Sequence, residues 1–199
     1  MTNDSMVGHL LILLSGGHDT SANVLSWSVY TLATKPDMQE RLRHEILELS
    51  DRASATPPCF PSSFAEIDAL PYLHNFAREV LRVYPPAVSM PRQAAADVTI
   101  QGVRLPKGTT VDVLPAVASM NRAVWGDDAD ARALPYAYEV FGNGPRVCLG
   151  RQLALMEVKT FLFLLVRGYR FLGVDGGFAV ENPSFVLRPA GMRVRFERL

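Results

Sequence analysis

Cysteine is nearly absent from these 199 residues: Cys59 and Cys148 allow at most one bridge, so the chain is no disulfide scaffold and needs no oxidising compartment. An excess of either charge is missing too, with 20 Lys plus Arg against 20 Asp plus Glu. No window reads as a basic stripe able to neutralise a phosphate backbone, so nucleic acid is not an expected partner. Long apolar runs are also lacking. Spanning a membrane takes about 18 consecutive apolar residues, and the longest run near the start is only Leu10 to Leu14. The opening MTNDSMVGH has no positive segment, and the apolar stretch leads into Ser15-Gly16-Gly17-His18-Asp19 rather than a small-residue cleavage site. Neither a signal peptide, an anchor nor a membrane span is expected in this chain. No repeat or low-complexity tract appears, and 48% apolar residues suffice to bury a core.

What is present reads mainly as helix. From an N-cap at Asn3 or Asp4 to about Thr34 the chain is apolar and alcohol-rich without a charged face, which predicts a long buried helix closed by Pro36. A charged amphipathic helix is expected over Asp37 to Leu49, with Met38, Leu42, Ile46 and Leu49 on one face. Residues 51–63 form a Pro/Ser loop in which Cys59 has no metal-spaced partner. Pro71 opens a third helix with Leu73, Phe76, Ala77, Val80, Leu81 and Tyr84 in helical period, ended by Pro85-Pro86. Residues 97–114 alternate and turn at Gly102 and at Pro106 to Gly108, which suggests two short strands. A last helix over Arg151 to Gly168, apolar nearly all round, should be buried, and the segment FVLRPAGMRVRF reads as a terminal hairpin. The fold class is therefore mainly α with a small antiparallel β component.

Three constellations carry chemistry. The first is Phe141-Gly142-Asn143-Gly144-Pro145-Arg146-Val147-Cys148-Leu149-Gly150, a glycine-rich loop before a helix. Such a loop can lie close against a flat ligand, and helix N-terminal amides favour a thiolate, so Cys148 is placed to be a ligand or a nucleophile. A lone cysteine is more often inert core. A cysteine hydrolase finds no support, because no His with Asn or Asp stands in recognisable relation to Cys148. The second is Gly16-Gly17-His18-Asp19-Thr20, where two mid-helix glycines each cost roughly 1 kcal/mol relative to Ala. Either a close helix crossing or a bound molecule would offset that cost. Thr20 is expected to bond back to the Gly16 carbonyl. His18, with no second His at i+4, reads as a satisfied helix residue. The third is Glu79 and Arg82 at i and i+3, both away from the apolar face, which alone reads as a solvated ion pair.

The spacing from Phe141 through Gly144, Arg146 and Cys148 to Gly150 resembles the heme-binding signature of the cytochrome P450 monooxygenases, and the resemblance extends over nearly the whole chain. It implies the C-terminal half of that fold, with residues 1–199 as a partial heme domain whose N-terminal half is absent. It further implies Cys148 as the axial iron ligand of heme b, Arg146 and Arg92 on the heme propionates, Phe141 over the thiolate face, and Gly150 within the binding loop. Gly16 and Gly17 would face the heme, and Asp19 and Thr20 would hold water and relay protons. Glu79 and Arg82 match the family's structural Glu-any-any-Arg pair, whose usual third member, an Arg from a Pro-Glu-Arg-like meander, is not found; Arg132 is not taken as its remnant. Implied partners are a small organic substrate, dioxygen and an NADPH-dependent reductase. Substrate contacts would fall before Gly16, on Ala87 to Met90 and on Ser184 to Val186. A eukaryotic parent would sit on the endoplasmic reticulum membrane. The alternative is a truncated, non-catalytic chain that does not retain heme, because a half-chain leaves apolar pocket walls bare.

Overall fold

The computed structural model describes residues 2–53, 63–121, 140–182 and 186–199. Helix α1 spans Asn3–Thr34, and its cap is Thr2 rather than Asn3 or Asp4: the Thr2 side chain accepts from the Ser5 amide at 3.2 Å. Only the half beyond Thr20 is buried, through Val24, Trp27, Leu32 and Ala33. Leu10 to Leu14 are exposed, so the expectation of a helix buried throughout fails where its neighbours end. Helix α2 (Pro36–Ala53) starts on the proline that closes α1 and runs past both expected bounds. Its face inserts Leu42 and Ile46, while Met38 stays at the rim.

A five-residue helix, α3 (Phe64–Asp68), was not anticipated, though Ser63 and Glu66 spell its capping box. Helix α4 (Pro71–Val83) has the expected start and buries Leu73, Phe76, Ala77, Val80 and Leu81. Its N-cap, Leu70, has no oxygen in its side chain to offer. Glu45 of α2 does that work from a distance, accepting from the Tyr72 and Leu73 amides at 2.8 and 2.9 Å. The Trp27 ring stacks on Tyr84 at 4.3 Å, and its indole N–H donates to the Leu187 carbonyl.

Among the described residues the β component is four two-stranded antiparallel sheets. Strand β2 (Val98–Ile100) and β3 (Val103–Leu105) form a hairpin whose turn residues, Gln101 and Gly102, both have positive φ. The 97–114 stretch holds a third strand, β4 (Thr110–Val113), which turns back to pair with β1 (Met90–Gln93). Helix α5 (Pro115–Met120) follows β4, and α6 (Arg151–Gly168) follows the cysteine loop. Helix α6 buries one face only, with Val158, Leu162, Phe163 and Val166, whereas Leu153, Phe161 and Leu164 face outward. Its apolar circumference exceeds what its neighbours cover, which corrects the expectation of burial all round.

The terminal hairpin is not formed. Strand β7 (Arg188–Ala190) pairs with β6 (Ala179–Glu181), and β8 (Arg193–Arg198) pairs with β5 (Tyr169–Asp175). Gly191, at φ +76°, turns the chain from one sheet to the other. Gln39 of α2 clamps the start of β5, accepting from the Phe171 amide at 2.7 Å and donating to its carbonyl at 2.9 Å. One charge enters this core. Lys159 of α6, 1% exposed, lies 2.6 Å from Asp68 Oδ1 and 2.7 Å from His74 Nδ1.

Candidate active site

Gly142 and Gly144 both take φ +68°, a conformation side chains resist, and they fold the cysteine loop into a short 3-10 turn over Gly144–Arg146. The Cys148 amide donates to the Phe141 carbonyl at 2.8 Å, closing the loop, and the Ala154 amide donates to Gly150 at 2.8 Å as α6 begins. The loop rests on β1, because the Cβ position of Gly142 lies 3.7 Å from Met90 Sδ. Arg92 shares the strand face of Met90, two residues on, and so stands on the side of the loop. Its guanidinium bonds the Pro91 carbonyl at 2.9 Å. Among the described residues neither Arg92 nor Arg146, both exposed, is paired with a carboxylate. Phe141 is half-buried under the Arg151 guanidinium, 5.8 Å from its ring centre. Cys148 is a free, exposed thiol.

Thr20 Oγ1 donates to the Gly16 carbonyl at 2.7 Å, as expected. Its two lone pairs remain open to donors such as water. Asp19, exposed, is contacted by His18 Nδ1 at 2.9 Å, so His18 is satisfied locally. The glycines beside them answer a question left open by the sequence. Among the described residues no atom outside the helix lies within 4 Å of a Cβ placed on Gly16 or Gly17, so no described helix crosses there. No packing among the described residues offsets their cost to the helix.

Glu79 and Arg82 form a two-pronged pair, with Arg82 Nε and Nη2 donating to Oε2 and Oε1 at 2.8 and 2.6 Å. Arg82 is 19% exposed and its Nη1 donates to the Ser119 carbonyl at 2.6 Å. The pair is thus a tie between α4 and α5, not a freely solvated bridge. Ser119, Lys159 and Glu45 had no signal in the sequence, since their partners are distant in the chain. Two of the three segments expected to meet substrate come together in an Ala87–Val186 bridge, beside a groove of about 270 Å³ lined by Asp19, Asn23, Ser26, Val186 and Arg188 among others. Ser184, Arg132 and Cys59 lie outside the described residues.

A lone cysteine offers one bond to a metal, and no group of three or more His, Cys, Asp or Glu gathers elsewhere among the described residues. Cys148 can supply that one bond, and the group that the cytochrome P450 resemblance implies there, an iron porphyrin, carries four ligands of its own. A soft cysteine sulfur, two arginines without a carboxylate partner among the described residues and two glycines with open space beside them are chemically suited to that group.

The comparisons define the class. The family model "Cytochrome P450" matches residues 1–196. Thromboxane-A synthase of Sus scrofa is 36% identical over 182 residues, 86% of this chain and 33% of the relative. The cytochrome P450 monooxygenase sphH of Aspergillus fumigatus is 34% identical over 98% of this chain and 39% of its own length. The crystal structure of a cytochrome P450 (CYP102L1) superposes with a TM-score of 0.86 at 29% identity, covering all of this chain and 47% of that one. This chain belongs to the cytochrome P450 family, and it spans about a third of the length of the curated relatives it matches. No helix among the described residues is long and apolar enough to cross a membrane.

Proposed function

We propose that this chain is part of a heme-dependent monooxygenase that oxidises a small organic substrate with dioxygen, using electrons from NADPH delivered by a reductase. The observation that carries the reading is the free, exposed Cys148 at the head of α6, in a loop closed by the Phe141 carbonyl. When bound, a thiolate-ligated heme b supplies oxygen chemistry, since the thiolate's electron density favours O–O cleavage. The chain's own residues hold and orient. Cys148 would hold the iron through its sulfur, Arg146 and Arg92 would take the propionates, and Phe141 would shield the sulfur. Gly150 keeps the loop slim, and Gly16 and Gly17 leave space for a flat ring. Asp19 and Thr20 hold water and move protons at the carboxylate and at Oγ1. Glu79 and Arg82 brace the scaffold. Residues 1–199 form one part of a heme domain, and a eukaryotic parent sits on the endoplasmic reticulum membrane.

The test is the reduced, carbon monoxide-bound spectrum of the chain expressed with heme supply. A thiolate-type Soret band that disappears in Cys148→Ser supports the reading. Soluble, folded chain without heme defeats catalysis by this chain and leaves its family membership intact. That outcome is the second reading, a non-catalytic chain, which the exposed Leu10 to Leu14 favour.

A further inference from the structure

Most hydroxyls in the C-terminal half of α1 follow one habit. Thr20, Ser26, Ser28, Thr31 and Thr34 each donate to the carbonyl four residues back, the default for an alcohol inside a helix. Ser21 departs from it. Its hydroxyl is buried and donates to Glu157 Oε2 of α6 at 3.1 Å, although the Gly17 carbonyl stands at the usual offset. Among the described residues this is the only side-chain hydrogen bond joining α1 to α6. Its two ends are placed tellingly: Ser21 is the next residue after Thr20, and Glu157 lies less than two turns into the helix that Cys148 introduces. Val24 and Trp27 of α1 share the apolar core with Val158 and Leu162 of α6, and apolar packing tolerates small slides that a directional, charge-assisted bond does not.

We propose that Ser21–Glu157 is a positioning contact that fixes the Asp19–Thr20 turn of α1 against the cysteine end of α6. Its purpose, though not its existence, rests on the heme-thiolate reading above. Glu157 touches none of the proposed reacting groups and acts through Ser21. Its other carboxylate oxygen is left to solvent-side partners, since the residue is exposed.

The experiment uses the 199-residue chain and four variants: Ser21→Ala, Glu157→Ala, their double, and Glu157→Gln, which keeps a carbonyl acceptor. Amide hydrogen exchange is measured by segment, and thiolate-type Soret intensity is measured after loading with hemin, reduction and carbon monoxide. Each alanine variant should speed exchange in residues 17–25 and 152–158 about two- to tenfold, the range set by one net hydrogen bond. The double should equal either single. Glu157→Gln should restore exchange at both segments and the Soret intensity that Glu157→Ala loses. Additive singles, exchange that rises evenly along the chain, or Glu157→Gln as fast as Glu157→Ala would overturn the proposal. A wild-type chain without a Soret band defeats the heme reading alone, because the exchange data still decide whether the tie exists.

Discussion

Replacing Asp68 by Ala should destabilise the chain far more than replacing Lys159 by Met, although both break the same ion pair. Lys159 is 1% exposed and Asp68 54%. Removing one partner of a buried pair costs about 3–5 kcal/mol because a charge is left without compensation. Here water already screens half of Asp68, and His74 Nδ1 still accepts from the ammonium, so about 2 kcal/mol is expected for Asp68→Ala. Lys159→Met removes the charge itself and fills its space, which should cost within about 1 kcal/mol. With a urea slope of about 2 kcal/mol per M, Asp68→Ala lowers the unfolding midpoint by about 1 M and Lys159→Met by less than half of that. The double variant should be no less stable than Lys159→Met. Equal losses for the two single variants would refute the reasoning, since the buried ammonium would then be a net contributor in its own right.

The same cluster sets a pH dependence. Lysine has no acceptor, so His74 Nδ1 accepts and the imidazole is neutral. Burial first, then Lys159 and Arg78, push His74 below its ordinary value of 6.5, with Asp68 opposing. The folded chain therefore binds fewer protons than the unfolded one below pH 6.5. This contribution to stability is complete above that pH and is lost as the pH falls through the depressed folded value. Urea midpoints between pH 7.5 and 5 (roughly the histidine range) should fall in the wild-type chain and flatten in His74→Gln.

Three further outcomes are expected. Gly16→Ala or Gly17→Ala should stabilise the heme-free chain by up to about 1 kcal/mol in urea unfolding while weakening hemin retention; a loss of stability would mean that protein packs there after all. Glu45→Ala should cost about 1–2 kcal/mol and speed amide exchange at Tyr72 and Leu73, whose N–H groups lose their acceptor. Arg82→Lys should cost about 1 kcal/mol, because an ammonium cannot reproduce the fork on Glu79 together with the bond to Ser119, and unfolding of the purified variant reads it directly.

Helix ends were legible because their signals are local: Pro36, Pro71 and Pro85-Pro86 break the backbone pattern wherever they occur. Strand partners were not, because β1 finds β4 across an intervening hairpin, and β7 and β8 part company at a glycine. A helical wheel shows that α6 is apolar nearly all round but not how much of it has neighbours, hence the exposed Leu153 and Phe161. The capping box Ser63–Glu66 was readable in principle, but five residues give no period to attract notice. Of the site, the loop and the glycine–acid–alcohol turn are legible from spacing alone. Glu157 and Lys159 are not, since each acquires meaning only from a residue far away in the chain.

Glycines separate what the fold requires from what it leaves over. Gly142 and Gly144 are demanded by their positive φ, so their presence says only that the loop must bend. Gly16 and Gly17 are helical and face open space, and at Gly150, with ordinary φ, a Cβ would meet Cys148 Sγ at an undemanding 3.9 Å. Nothing in the described structure needs these three to lack a side chain. They also sit where protein packing stops, since α1 has no buried residue before Ser21 and Cys148 is exposed. A mid-helix glycine that serves no turn is better explained by a neighbour beyond the described residues. On that ground Gly16 and Gly17 mark a helix face made to be covered, whereas Gly150, at the N-cap of α6 where glycine is well tolerated, carries no such inference.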